Sequence, residues 1–117
     1  FPIVTLSNGN VALLLAMARR AGLPWDAILG AEVSGAYKPD PRTYLGVAEV
    51  FDVSPAQVML VAAHQDDLDA ARACGLATAY IERPLEFGAR RVKDVSPDAA
   101  NTWHARDLVH LADQLGC

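Results

Sequence analysis

The run Val58-Met59-Leu60-Val61-Ala62, passing straight into Ala63-His64-Gln65-Asp66-Asp67, decides the fold class of this 117-residue chain. Five apolar residues in succession, with no alternation, describe a strand covered on both faces. The polar residues after it suit a loop and a helix start. Such strands belong to parallel sheets with helical crossovers, and their chemistry gathers beyond the carboxyl ends of the strands. Downstream, a helix is expected over residues 67–74, stopped by Gly75, and then a strand over residues 77–81. Residues 82–102 read as mostly irregular, and a closing helix from about residue 105 aligns Leu108, Leu111 and Leu115.

Upstream, Ser54-Pro55 marks a turn, and Asp40-Pro41 is a helix start with a capping carboxylate before a proline. Tyr44, Val47, Ala48 and Phe51 then recur at helical spacing. Residues 2–6 form a short apolar strand that ends at Ser7-Asn8-Gly9. A helix over residues 10–21 places Val11, Leu14, Leu15 and Ala18 on one face, and Gly22 stops it. A turn at Leu23-Pro24-Trp25-Asp26 leads to a short strand over residues 28–33. Strands alternating with helices give an α/β fold with a parallel sheet and right-handed crossovers.

Composition narrows the function. A chain that is 52% hydrophobic has ample material for a core at this length. The net charge of −4 argues against nucleic acid as the main partner, because phosphate binding wants a basic face. No apolar run reaches the roughly 20 residues of a membrane span, and no charged leader precedes the apolar residues 11–18. Cys74 and Cys117 are too few for a disulfide framework or a zinc site, which suits reduced thiols in a cytoplasmic protein. No Walker loop, Gly-x-Gly-x-x-Gly or Gly-x-Ser-x-Gly motif occurs.

Three polar clusters remain: Ser7-Asn8-Gly9, Lys38-Pro39-Asp40-Pro41, and the residues from Ala62 to Asp67. Ser7 and Asn8 precede a helix N-terminus and offer a hydroxyl and an amide to a carboxylate or phosphate. The same residue types also cap helices, and capping ranks first for the cluster taken alone. Lys38, aimed by a rigid turn, can hold a carboxylate ionised or balance charge in a transition state; the plain alternative is a solvated lysine. His64 and Asp67 can act as a general base pair, the acids can hold a divalent metal, or the cluster can simply cap the helix, with Asp66 or Asp67 on its first turn and His64 in the loop. Asp69 is expected on the solvated helix face, and His104 and His110 have no spacing that defines a site.

Taken in order, Ser-Asn-Gly, Lys-Pro-Asp-Pro with Tyr44 six residues after Lys38, and an apolar strand ending in Ala-Ala-His-x-x-Asp-Leu resemble the haloacid dehalogenase superfamily. The stretch Ile81-Glu82-Arg83-Pro84 through Phe87-Gly88 is similar to its type II, L-2-haloacid dehalogenase branch. The resemblance implies a Rossmann-like parallel sheet with flanking helices, residues 1–117 being the C-terminal part of a single core domain. It implies that Ser7 and Asn8 hold the substrate carboxylate and the leaving or attacking groups, and that Lys38 neutralises a nucleophilic aspartate. Tyr44 would line the same pocket, and Asp67 would pair with the lysine and ready the hydrolytic water. The implied reaction displaces halide from C2 of a small 2-haloacid by an aspartate carboxylate. Hydrolysis of that ester gives a 2-hydroxy acid of inverted configuration without a cofactor. Homodimerisation fits the resemblance, but no residue here bears on it.

Two departures shape this reading. Phosphatases of the superfamily carry Gly-Asp-x-x-x-Asp at the fourth motif, the first aspartate binding magnesium, where this chain has Ala62 and Ala63. Loss of a hard oxygen ligand argues against a metal and a magnesium phosphatase. Serine and asparagine of the dehalogenase pattern are here Ala62 and His64, so His64 is expected to supply a comparable hydrogen bond to substrate. The family's nucleophile motif and mobile cap lie upstream, and the chain opens on Phe1-Pro2. The nucleophile's strand would sit between the strands at 2–6 and 58–62, so these residues alone are expected to be inactive, marginally stable and open at two strand edges. The alternatives are a magnesium-dependent phosphatase of the same superfamily and a non-catalytic anion-binding domain.

Overall fold

The computed structural model describes residues Phe1–Cys117, which form two compact units, Phe1–Pro55 and Ala56–Cys117. The first unit runs β1 (Val4–Leu6), α1 (Val11–Ala21), β2 (Ala27–Leu29), α2 (Ala31–Ser34) and α3 (Pro41–Val50). β1 and β2 pair in parallel, Thr5 opposite Ile28. The Thr5 hydroxyl fastens the pair by accepting from the Leu29 N–H at 2.9 Å and donating to the Leu29 carbonyl at 3.2 Å.

Local chemistry explains the helix bounds. Asn10 caps α1 by accepting from the Leu13 N–H at 2.8 Å, and Gly22 closes it in the left-handed region at φ 66°. Arg19 and Arg20 lie on its last turn, where cations complement the helix dipole. Ala18 is buried, but Leu15 is 47% exposed and leaves the face assigned to it, which narrows to Val11, Leu14 and Ala18. The expected strand over 28–33 ends early, because Gly30 turns the chain into α2. A Cβ at Gly30 would lie 2.7 Å from the Gly9 carbonyl oxygen and 2.9 Å from the Val11 nitrogen, so glycine is required there for space. Asp40 caps α3 with Pro41 at its first position, as the sequence indicates.

The second unit holds a 3-10 turn reaching Gln57, then β3 (Met59–Ala62), α4 (Gln65–Ala73), β4 (Ala77–Ile81), β5 (Trp103–Ala105) and α5 (Leu108–Gln114). Its three strands pair in parallel in the order β3-β4-β5. β5 falls where no strand was expected. Its three residues carry too short a pattern to announce themselves, and pairing with β4 creates it. α4 begins two residues earlier than its sequence pattern suggests, at the residue after His64. Ala79, Ile81, Ala105 and Leu111 form a core against which Met59, Trp103 and Leu115 pack. Asn101 fastens the irregular segment to this unit by bonding Gln65 at 2.9 Å and accepting from the Thr78 hydroxyl at 3.1 Å. No helix is long and apolar enough to cross a membrane.

Candidate active site

In the first unit, the loop after β1 and the loop before α3 meet. Asn8 Oδ1 accepts from the Lys38 N–H at 2.7 Å, and Asn8 Nδ2 donates to the Lys38 carbonyl at 3.4 Å. One side-chain amide thus grips both polar groups of the Lys38 backbone, 30 residues away in sequence. These bonds use one N–H and one lone pair of the exposed amide and hold the backbone that carries the lysine. Ser7 Oγ accepts from the Gly9 N–H at 3.0 Å, a local turn that keeps the hydroxyl hydrogen for a further partner. The Lys38–Pro39 peptide is cis. Tyr44 is wholly buried on α3.

The anion place at the start of α1 is filled from within. The Glu32 carboxylate accepts from the Val11 N–H through both oxygens at 3.1 Å, and Asn10 takes the Leu13 N–H. Capping is therefore the work of Asn10 and Glu32, and Ser7 and Asn8 are left for other tasks. Glu32 was outside the sequence reading, because only the turn at Gly30 returns it to the helix end.

In the second unit, His64 sits at the N-cap position of α4 without capping it, and Asp66 and Asp67 lie on the first helical turn. There, both carboxylates complement the helix dipole. Asp69 is half-exposed, accepting from Gln65 and Arg72, and those two bonds hold its carboxyl below the usual range. His64 Nε2 meets Glu86 Oε1 at 2.5 Å, Glu86 Oε2 accepts from Lys93 Nζ at 2.7 Å, and Lys93 also donates to the Ala63 carbonyl. Glu86 and Lys93 come from the irregular stretch and carried no spacing signal; the fold alone brings them beside His64. No group of three His, Cys, Asp or Glu side chains in this unit is arranged to hold a metal ion.

Residues 1–75 match the haloacid dehalogenase-like hydrolase family. The chain belongs to that family. A solved structure of a defluorinating L-2-haloacid dehalogenase superposes on all of this chain at a TM-score of 0.94 and 49% identity, over 48% of its own length. The (S)-2-haloacid dehalogenase of Xanthobacter autotrophicus is 35% identical over 80 residues, which are 67% of this chain and 32% of that protein. A phosphatase of Mycobacterium tuberculosis is 31% identical over 71 residues, 61% of this chain and 33% of that protein. This haloacid dehalogenase-like chain thus spans about half the length of the solved relative and about a third of the curated ones. The α/β, Rossmann-like class expected from the sequence is the observed one. Within the family, Ser7, Asn8, Lys38 and Tyr44 lie in the first unit, and His64 and Asp67 in the second.

Proposed function

We propose that the complete protein removes halide from small 2-haloacids through an aspartyl-ester intermediate, without a metal. In this reading Lys38 holds the nucleophilic carboxylate ionised, and Ser7 binds the substrate carboxylate. Asn8 aims Lys38, Tyr44 closes the pocket wall, and Asp67 and His64 serve the hydrolytic step. Residues 1–117 supply these groups as part of one core domain. The nucleophile is not among them, so this chain by itself turns nothing over.

One observation carries the choice of dehalogenation over phosphoryl hydrolysis. Where phosphatases of the family place a metal-binding aspartate, this chain has the methyl group of Ala63, and the Lys93 ammonium is seated on the Ala63 carbonyl. A methyl group in place of the carboxylate, with a fixed cation on the same residue's carbonyl, opposes a divalent ion, which wants carboxylate oxygens. The residues present therefore do not fit magnesium. The test is chloride release from L-2-chloropropionate by the complete protein, with and without EDTA. Release that survives chelation is the expected result. Release lost on chelation, together with phosphate release from phosphoesters, would instead favour the phosphatase suggested by the mycobacterial likeness. Binding without turnover on either substrate class would leave a non-catalytic anion-binding domain.

A further inference from the structure

Glu86 and Lys93 have no place in that reaction, yet their side chains are only 18% and 13% exposed. Lys93 Nζ touches the Ala63 carbonyl and Glu86 Oε2, and the rings of Tyr80 and Phe87 lie 5.8 and 6.0 Å from it. Charge, hydrogen bonds and ring faces therefore hold the ammonium in one position. The ammonium in turn pins the peptide immediately before His64 and one oxygen of the carboxylate that meets the His64 ring.

That carboxylate sets the ring's chemistry. The hydrogen bond from Lys93, and after it the one from His64, hold the Glu86 carboxyl below the usual range, so it is ionised at neutral pH. An ionised carboxylate only accepts. The proton of the 2.5 Å contact therefore sits on His64 Nε2, and in the neutral ring Nδ1 carries the lone pair. The His64 side chain is 53% exposed, and its bond to Glu86 runs from Nε2, at the other side of the ring from Nδ1.

We propose that Glu86 and Lys93 are positioning residues that fix His64 in its Nε2–H tautomer and present Nδ1 as an acceptor for an O–H group, that of a water or a hydroxy acid. A halide or a substrate carboxylate has no hydrogen to give such an atom. The assignment deepens the dehalogenase reading and rests on it: His64 faces the water or the hydroxy-acid product, leaving the incoming haloacid to other groups.

The test is made on the complete protein with nitrogen-15-labelled histidine. In solution alkaline enough to give the neutral ring, His64 should show Nε2 protonated and Nδ1 bare, and Glu86→Ala should convert this to a mixture of tautomers. A Nδ1–H tautomer, or a pattern unmoved by Glu86→Ala, would overturn the proposal. Glu86→Leu keeps much of the side chain's bulk without an acceptor, and serves the same measurement if the alanine variant does not fold. In halide release, Glu86→Ala should cost about tenfold with His64 present and less than about twofold in a His64→Asn background. An equal loss in both backgrounds would make Glu86 merely structural. The tautomer is read without turnover, so a protein that releases no halide would sink the function and leave this measurement standing.

Discussion

At Asp40 one carboxylate does two local jobs. It accepts from the Arg42 N–H at 2.9 Å, capping α3, and binds the Arg42 guanidinium at 2.8 and 3.1 Å. These bonds, the side-chain one first, lower its pKa from 3.8 to about 2. A depressed carboxylate contributes stability that is complete above its unfolded pKa and is lost as pH falls through the folded one. The Asp40 contribution should therefore fade as pH drops from 3.8 to about 2. Asp40→Asn keeps a cap but no charge, so its acid unfolding curve should be flatter than the parent's across that window when followed by circular dichroism. Equal curves would mean that the Arg42 pair adds nothing to folding. The cap itself was legible, because aspartate before proline encodes its own local geometry. The Asn8 grip on Lys38 was not, since no local rule links residues 30 positions apart.

At the scale of elements, the approach of α2 to the start of α1 depends on Gly30. Its backbone angles, φ −108° and ψ −173°, suit any residue, so only the space around it demands glycine. Gly30→Ala would press a methyl against two backbone atoms under 3.0 Å away and displace Glu32 from the α1 terminus. We expect a cost of about 1–3 kcal/mol, read as a lower urea midpoint of the complete protein. Gly46, inside α3, meets only the Ser34 side chain and Cα at 3.4 Å and beyond. Gly46→Ala should therefore shift the midpoint the other way, by up to about 1 kcal/mol. A Gly30→Ala midpoint at or above the parent's would refute the steric account. Most helices announced themselves through caps and 3.6-residue periodicity. β2 was announced but with too long a reach, and β5, at three residues, was not announced, because its pairing with β4 makes it. His104 shows the same dependence: opposite Tyr80 in the β4–β5 register, it stacks on that ring at 5.3 Å and bonds Glu82 at 2.7 Å.

At the scale of the whole molecule, β1 is bonded only to β2, and β3 stands at the edge of its own sheet. Beside those edges Ile3 is 50% and Val61 37% exposed. Open, apolar strand edges template pairing with other chains. The 117-residue chain should thus scatter light increasingly with concentration, and Val61→Lys should raise the concentration at which scattering begins. Scattering that is independent of the substitution would place the association elsewhere. The sequence by itself determined the α/β class, the principal strands and helix starts, and the ordered set Ser7, Asn8, Lys38, Tyr44 and Asp67, since runs, caps and spacings are local properties of a chain. Only the tertiary structure decided that Glu32 occupies the α1 terminus, that Asn8 holds the Lys38 backbone, and that Glu86 and Lys93 reach His64. Those contacts join residues 21 to 30 positions apart or cross an irregular segment, where folding brings charges together that periodicity does not mark.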